Sequence, residues 1–584
     1  MKLENLTKRV PNVIVICGAI ICIIFLFPQV RQLLIDIGEN VLGRPLNNVF
    51  LWHIRIITAA LSFLFLSIVY FLLFSVKIAI PQVPPEKKAR VFSVIEIALI
   101  CLYSCMLIFL AFSNNSIWLD EAFSLAKIQH SWGDLIQFCI IDVHPPFYYI
   151  VLKLGSLFFG GSIAVMRMVS VFPTILMVIL VCIFLKKEFS NKAALVFLLS
   201  CIASGTITRY AIEIRMYSWA LFFVTMMAVT AWYFFKTGKK RWWAALLLCA
   251  LGAAYTHYYA MIAAAIGYIL LFLYALKFRK ERIVPMVVLG ISGIVLYLPW
   301  LPILIRQFSI VSADYWIPPL TLHTVQGYIG TVFFVGNIFL DWRIFLLIFC
   351  SVLIYFFAKK RKTEKDFFVF GGLCCAVLLI LSGIIVSIAI RPLFVARYLV
   401  PVLGLVWLFF AVECGTISQK RIYIFLLIVL APLGLISFWG SAHREIEEHR
   451  ASSIFYAYVT EHKHQDDVFV FVHATGSRHL PFTMNQLFPD QTYTITATGE
   501  RLDLSTSALP LCLLTYRLWG NSYVEYTPDI YDDRTVWTFI SGFNEGAQLD
   551  KFDPLALRGE YRGSFRWNRY RFRLYKSSPM ACLY

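Results

Sequence analysis

The chain has 584 residues, of which 60% are apolar and 15% charged, and its mean hydropathy is +0.74. Soluble globular domains carry roughly 25% charged and roughly 45–50% apolar residues, so a soluble enzyme, a disordered chain and a collagen-like fibre are all excluded. The net charge of +18 is unevenly spread: residues 441–584 hold 15 basic and 17 acidic side chains, leaving 37 and 17 for the rest. A basic membrane part beside a near-neutral tail fits cytoplasmic loops that meet anionic lipid. Nucleic acid is a poor partner, because these charges punctuate hydrophobic segments and form no single basic face.

Hydropathy places spans at 11–28, 50–76, 92–112, 163–185, 191–208, 216–235, 242–258, 259–277, 283–304, 342–358, 367–389, 398–412 and 422–440. The first run follows Lys8 and Arg9 like a signal peptide, but it lacks a small-residue cleavage site and reads as a retained helix. Every second connection is basic: Lys2, Lys8 and Arg9; Lys77 to Arg90; Lys186 and Lys187; Lys236 to Arg241; Lys277 to Arg282; Lys359 to Lys362; Lys420 and Arg421. The positive-inside rule puts these in the cytoplasm, so the N-terminus is expected inside and the C-terminal region outside.

Three outer connections stand out: 113–162, 305–341 and the RPLFVARY stretch after Ile390. Within the first, residues 120–140 alternate at helical spacing and 145–159 is apolar but too short to cross, so both are expected to lie at the membrane surface. From about residue 441 the composition becomes that of a soluble domain. A helical stretch at 445–462 precedes strand patterns at 468–474, 492–496, 536–542 and 569–576, which suggest a small α/β layer. The expected organisation is an extra transmembrane pair at 1–91, a transmembrane catalytic part at 92–440 and an extracytoplasmic α/β domain at 441–584.

The sharpest motif is WLDEAFS, Trp118 to Ser124, in which Asp120 and Glu121 open the first outer connection. Alone, the pair reads as a solvated first helical turn. Its company matters more. IDVHPPFYY adds Asp142 and His144 ahead of a Pro pair suited to a helix entry. TRYAIEIRMYSW brings Arg209, Glu213, Arg215 and Tyr217 to the same side, and the third connection brings Arg391, Arg397 and Tyr398. Glu213 and Arg215 as a rim ion pair would contribute under about 1 kcal/mol. Arginines on the outer face nevertheless run against the positive-inside rule, and the guanidinium suits phosphate. Arg215, Arg391 and Arg397 are therefore candidate phosphate holders. His257 in AYTHYYA is a weaker one, since a lone His is more often a hydrogen-bonded core residue. Asp142, His144, Glu213, Tyr217 and Tyr398 are candidate substrate contacts, with Gln307 and Asp314 weaker still. No Cys/His set has zinc spacing. Cys512 and Cys582 are the tail's two cysteines, and their pairing stays open.

The succession WLDEAFS, DVHPPFYY, EIRMYSW, THYYA and RPLFVARYLVP resembles the GT-C glycosyltransferases of the protein O-mannosyltransferase and aminoarabinose transferase type, which are glycosyltransferase family 39-like. The similarity covers about 113–412. The spans at 11–28 and 50–76 exceed what the simplest members need, and the tail matches no acceptor signature. The resemblance implies a polytopic α-helical fold, a sugar donor on polyprenyl monophosphate, and transfer on the outer face. Asp120 matches the acid assigned as catalytic in such enzymes, and Glu121 matches its neighbour. No cofactor is required with certainty; metal dependence varies across the superfamily, so a divalent metal stays open, although the spacing offers no cage of oxygen ligands. The expected reaction is a one-step displacement that inverts the anomeric carbon, unlike the two-carboxylate covalent route of retaining hydrolases. The expected partners are membrane lipids, the lipid-linked sugar and a protein, lipid or polysaccharide acceptor. A plasma-membrane setting is expected, since the tail carries no retrieval signal. The alternative, an envelope-lipid transporter or flippase, should show repeated halves and broken midplane spans. The basic run from Arg558 to Lys576 fits either an anionic envelope partner or a solvated strand face.

Overall fold

Uninterrupted apolar runs leave the backbone no partner but itself in a bilayer, and helix is the solution this chain adopts. The computed structural model describes residues 32, 94–313, 317, 319–335, 342–359, 363–390, 392–473, 492–497, 524–525, 535–541, 560–567 and 570–577. The expected spans at 11–28 and 50–76, Asp314, Arg391, Cys512 and Cys582 lie outside the described residues.

In chain order the helices are α1 (Val94–Phe112), α2 (Leu119–Gln129), α3 (Trp132–Ile141), α4 (Phe147–Phe159), α5 (Ile163–Glu188), α6 (Asn191–Ala203), α7 (Gly205–Ile212), α8 (Tyr217–Thr237), α9 (Lys240–Thr256) and α10 (Tyr258–Phe278). There follow α11 (Ile283–Tyr297), α12 (Leu301–Ala313), α13 (Leu322–Val332), α14 (Trp342–Ala358), α15 (Glu364–Ala389), a 3-10 turn at Ala396–Val402 leading into α16 (Leu403–Gly415), and α17 (Lys420–His462). Among the described residues seven helices are long and apolar enough to cross a membrane, or nine if each of two bent pairs is one span. The chain is a multi-pass helical membrane protein. Helices α9 and α14, at 17 residues each, are shorter.

Two expected spans are bent. The 191–208 run turns by 66° between α6 and α7, and the 283–304 run by 67° between α11 and α12. Ser204 explains the first break. Its N–H still closes α6 on the Ser200 carbonyl, while its hydroxyl accepts from the Ile207 N–H and caps α7. The Gly205 N–H, freed from the ladder, donates to the Phe334 carbonyl at 2.8 Å. The stretch expected as one helix over 120–140 is two, α2 and α3, because Ser131 caps a new helix by accepting from the Asp134 N–H; with α4, near the expected 145–159, they form a group of short helices between the first two described spans.

Residues 422–440 and 445–462, distinct by composition, belong to one helix. The 43 residues of α17 correspond to about 64 Å at 1.5 Å per residue, about twice a hydrocarbon core. Its far end carries Phe455 and Val459 onto a separate small core with Phe469, Trp537, Phe539, Trp567 and Leu574. That core covers a six-stranded sheet of order β3-β2-β1-β4-β6-β5, formed by β1 (Val468–His473), β2 (Thr492–Ala497), β3 (Val524–Glu525), β4 (Val536–Ser541), β5 (Glu560–Trp567) and β6 (Tyr570–Ser577). The first four strands in sheet order are parallel, while β6 runs antiparallel to β4 and β5.

The charges sort to opposite ends of the bundle. At one end Lys186 meets Glu96, Lys236 meets Glu188, Lys359 meets Asp366 and Arg279 meets Glu364. These belong to the basic connections. Helices α1, α5 and α8 span to the other end, where the DE motif follows α1, Arg167 lies near the start of α5 and Arg215 precedes α8.

Candidate active site

The turn after α1 is shaped by Asn114, whose side-chain carbonyl accepts from the Ser116 backbone and hydroxyl at 2.8 and 2.7 Å. The chain re-enters helix at Leu119, which places Asp120 and Glu121 in the first turn of α2, where the helix dipole favours negative charge. The two acids then diverge. Glu121 is buried; one carboxylate oxygen accepts from the Trp118 N–H at 3.2 Å and the other from the Ile214 N–H at 3.0 Å. Arg167 lies 3.8 Å from it, and Arg167 also reaches the Ser116 carbonyl and Glu445 of α17.

Asp120 faces two other arginines. Its Oδ2 accepts from Arg397 at 2.9 Å and lies 4.0 Å from Nε of Arg215, and its side chain is 18% exposed. Arg397 lies in the 3-10 turn that leads into α16, and its guanidinium also lies 5.8 Å from the Trp118 ring centre. Arg215 comes from the four residues between α7 and α8 that the bend at Ser204 steers inward. Its Nη1 donates to the Asp120 carbonyl, the Ser124 hydroxyl and the Tyr149 hydroxyl at 3.2, 3.3 and 3.4 Å. Two guanidiniums thus stand beside one carboxylate, an arrangement whose fork geometry suits carboxylate or phosphate oxygens.

The DVHPP segment closes the other flank. Asp142 accepts from Nδ1 of His144 at 3.1 Å and forms an ion pair with Lys127 of α2. Nε2 of His144 lies 3.1 Å from Nη2 of Arg215. An arginine only donates, so Nε2 is the acceptor and Nδ1 carries the hydrogen. Burial pushes the imidazole below its ordinary pKa; Asp142 opposes this, and Arg215 adds to it. Burial would raise the Asp142 carboxyl, but Lys127 and His144 outweigh it and hold it well below the usual carboxylate range.

His257 caps α10, its Nδ1 accepting from the Tyr259 N–H at 3.2 Å, which leaves Nε2 as the donor of a neutral ring. That ring lies 6.1 Å from His144, 5.6 Å from Tyr217 and 5.0 Å from Tyr398, centre to centre. Tyr398 stacks on Tyr259 at 4.6 Å. The buried Tyr217 hydroxyl has no hydrogen-bond partner among the described residues. Glu213 is buried at the end of α7. Gln307 lies apart from the arginines, bonding Tyr258 and the Cys139 and Ile140 carbonyls.

Asp120, Asp142, His144, Arg215, Tyr217, His257, Arg397 and Tyr398 thus gather in one cluster, with Glu121 directly behind it. Lys127, Ser124, Tyr149 and Arg167 join them without having been given a site role from sequence. For Lys127 the available signal was a lysine on the otherwise small and apolar SLAKI face. Among the described residues no three His, Cys, Asp or Glu side chains gather as a cation site.

No protein-family model matches the chain, and no curated protein matches its sequence. Solved structures do match. The crystal structure of ArnT from Cupriavidus metallidurans in the apo state aligns with a TM-score of 0.54 at 12% identity, covering 83% of this chain and 98% of ArnT. The chain has the ArnT fold. The structure of ArnT bound to undecaprenyl phosphate matches with the same score, identity and coverage. ArnT is an aminoarabinose transferase of the GT-C family, so the likeness meets the GT-C resemblance drawn from the motifs. At this identity the likeness is one of architecture.

Proposed function

We propose that the chain is an integral membrane glycosyltransferase that moves a sugar from a polyprenyl-phosphate donor to an acceptor hydroxyl on the extracytoplasmic face. The observation that carries this reading is Asp120 held between Arg397 and Arg215, at the end of the bundle opposite the basic connections. The undecaprenyl phosphate bound by ArnT, which shares the fold, supports the donor class.

A polyprenyl chain stays in the bilayer, so its sugar-phosphate head waits at interfacial depth, the level this reading gives to α2 and α4. In the proposed reaction the phosphate draws Arg397 and Arg215 to itself, and Tyr217 and the His257 Nε2–H are further donors within the cluster. Asp120 is thereby released to accept the proton of the acceptor hydroxyl. The acceptor oxygen forms its bond to the anomeric carbon as the bond to the phosphate oxygen breaks. The electron pair leaves on the polyprenyl phosphate, whose growing charge the two guanidiniums stabilise. Attack opposite the phosphate inverts the anomeric centre. Glu121, with a backbone donor on each carboxylate oxygen, serves in this account to hold Ile214 and hence Arg215 in place.

Purified full-length protein in vesicles, supplied with labelled polyprenyl-phosphate sugars and envelope extract, tests the proposal. Transfer by the wild type and its abolition in Asp120→Asn, with membrane insertion retained, is the expected outcome. Near-normal transfer by Asp120→Asn would remove Asp120 as the base. Lipid scrambling without transfer would point to a flippase.

A further inference from the structure

Lysine is almost never fully buried unless paired, yet Lys127 is 0% exposed in the middle of α2. Its ammonium meets Asp142 and lies 4.1 Å from the centre of the Tyr149 ring. With no exposed surface it does not reach substrate itself. What it does reach is a chain of contacts of fixed polarity: Lys127 to Asp142, Asp142 to Nδ1–H of His144, and Nε2 of His144 to Arg215. Resting on the polyprenyl-phosphate reading above, we propose that Lys127 is a positioning residue for donor binding. Through Asp142 it fixes His144 in the Nδ1–H tautomer and so aims the Arg215 guanidinium at the donor phosphate.

The polarity of each link follows from its neighbours. Lysine and arginine have no acceptor, so the two ends of the chain are donors only. Asp142 must then be ionised, and the imidazole between must be neutral, with its lone pair toward Arg215. Burial works against the Lys127 ammonium, but Asp142, Tyr149 and Cys139 together more than offset it and keep it charged. The guanidinium is consequently held from both sides. His144 takes Nη2, while Asp120, Ser124 and Tyr149 take Nη1. Its Nε edge stays turned toward Oδ2 of Asp120. Holding a binding group within a few tenths of an ångström is the task of such supporting residues.

The groups facing the His144 ring are Asp142, Lys127, Arg215 and His257. Lys127 and Arg215 disfavour the imidazolium, whereas Asp142 favours it. Removing Lys127 therefore raises the pH at which His144 protonates, and removing the charge of Asp142 lowers it. A general loosening of the fold would not move the two in opposite directions.

The test uses the full-length protein in nanodiscs, with undecaprenyl monophosphate as the probe, its affinity followed across pH. Lys127→Met is expected to bind about tenfold more weakly, the cost of one lost supporting hydrogen bond, with the inflection of the pH profile moved up. Lys127→Arg restores most of the affinity and the wild-type inflection, and Asp142→Asn moves the inflection down. Wild-type affinity and inflection in Lys127→Met would overturn the proposal, as would shifts of the two variants in the same direction. If Lys127→Met does not fold, Asp142→Asn decides, and an unmoved inflection there overturns it. Failure of the wild type to bind the lipid phosphate overturns the donor reading, and this inference with it. Binding that is normal in every variant overturns this inference alone.

Discussion

Asp120 and Glu121 are neighbours with different fates, and the difference lies in which groups reach their oxygens. Glu121 has turned inward to cap its own helix turn and hold Ile214. Asp120 has arginine side chains for partners, and side chains move when a better anion arrives. Arg397 is the more accessible of the two arginines, at 18% side-chain exposure against 4% for Arg215. Arg397→Ala is therefore expected to raise the donor KM at least tenfold, about 1.4 kcal/mol, while leaving acceptor dependence intact. Arg397→Lys should recover little, because a lysine offers a point charge where the guanidinium offers a fork. Steady-state kinetics with donor and acceptor varied separately reads both, and an unchanged donor KM in Arg397→Ala would remove it from the phosphate site. The sequence made Asp120 visible through its motif and the motifs that follow it, and Arg215 and Arg397 because arginines on an expected outer face run against the positive-inside rule. It hid Lys127, since a lysine on a surface helix ordinarily snorkels to water, and only the fold shows Asp142 waiting for it. Glu121 was paired with Asp120 by adjacency, although in a helix adjacent side chains point in different directions.

At the scale of the elements, hydropathy reports how long an apolar run is but is blind to a break inside it. Ser204 and Gly205 interrupt the 191–208 run with a cap and a turn, and the segment beyond the bend carries Arg215 and Tyr217 into the cluster. The composition change near residue 441 was equally legible, yet a helix whose side chains change from apolar to polar need not stop, and α17 continues through it. Close approach between helices was not legible at all. Gly404 at the start of α16 sits against α8 so tightly that an added Cβ would lie 1.9 Å from Oγ1 of Thr225. Gly404→Ala is accordingly expected to destabilise the bundle by about 1–3 kcal/mol, as overpacking does. Thr225→Ala in the same chain should return part of that loss, because the hydroxyl and methyl are removed but the Cβ remains. Thermal unfolding of the two single variants and the double variant checks this; independent, additive effects would contradict the packing.

For the molecule as a whole, the helices separate two kinds of charge by the length of a span. The basic connections and their acidic partners, Glu96, Glu188 and Asp366, collect at one end, while the arginines that share Asp120 collect at the other. The long α17 ties the second end to the sheet domain. Glu445 on that helix meets Arg167, which stands 3.8 Å from Glu121. An acceptor bound by the sheet domain would thus lie on the same side as the proposed donor site. The alternation of basic loops predicted from sequence that these connections share one side, because lysine and arginine near span ends obey a simple electrostatic bias; the described ones do gather at one end. The identity of the acceptor has no such rule behind it. The central claim is that a polyprenyl phosphate rests between Arg215 and Arg397, displacing Asp120 as their shared anion. A structure of the full-length protein with undecaprenyl monophosphate bound measures this most directly. The account predicts the phosphate within hydrogen-bond reach of both guanidiniums, with Asp120 freed from Arg397. A phosphate seated at the opposite end, beside Lys359, with Asp120 and Arg397 still paired, would contradict it.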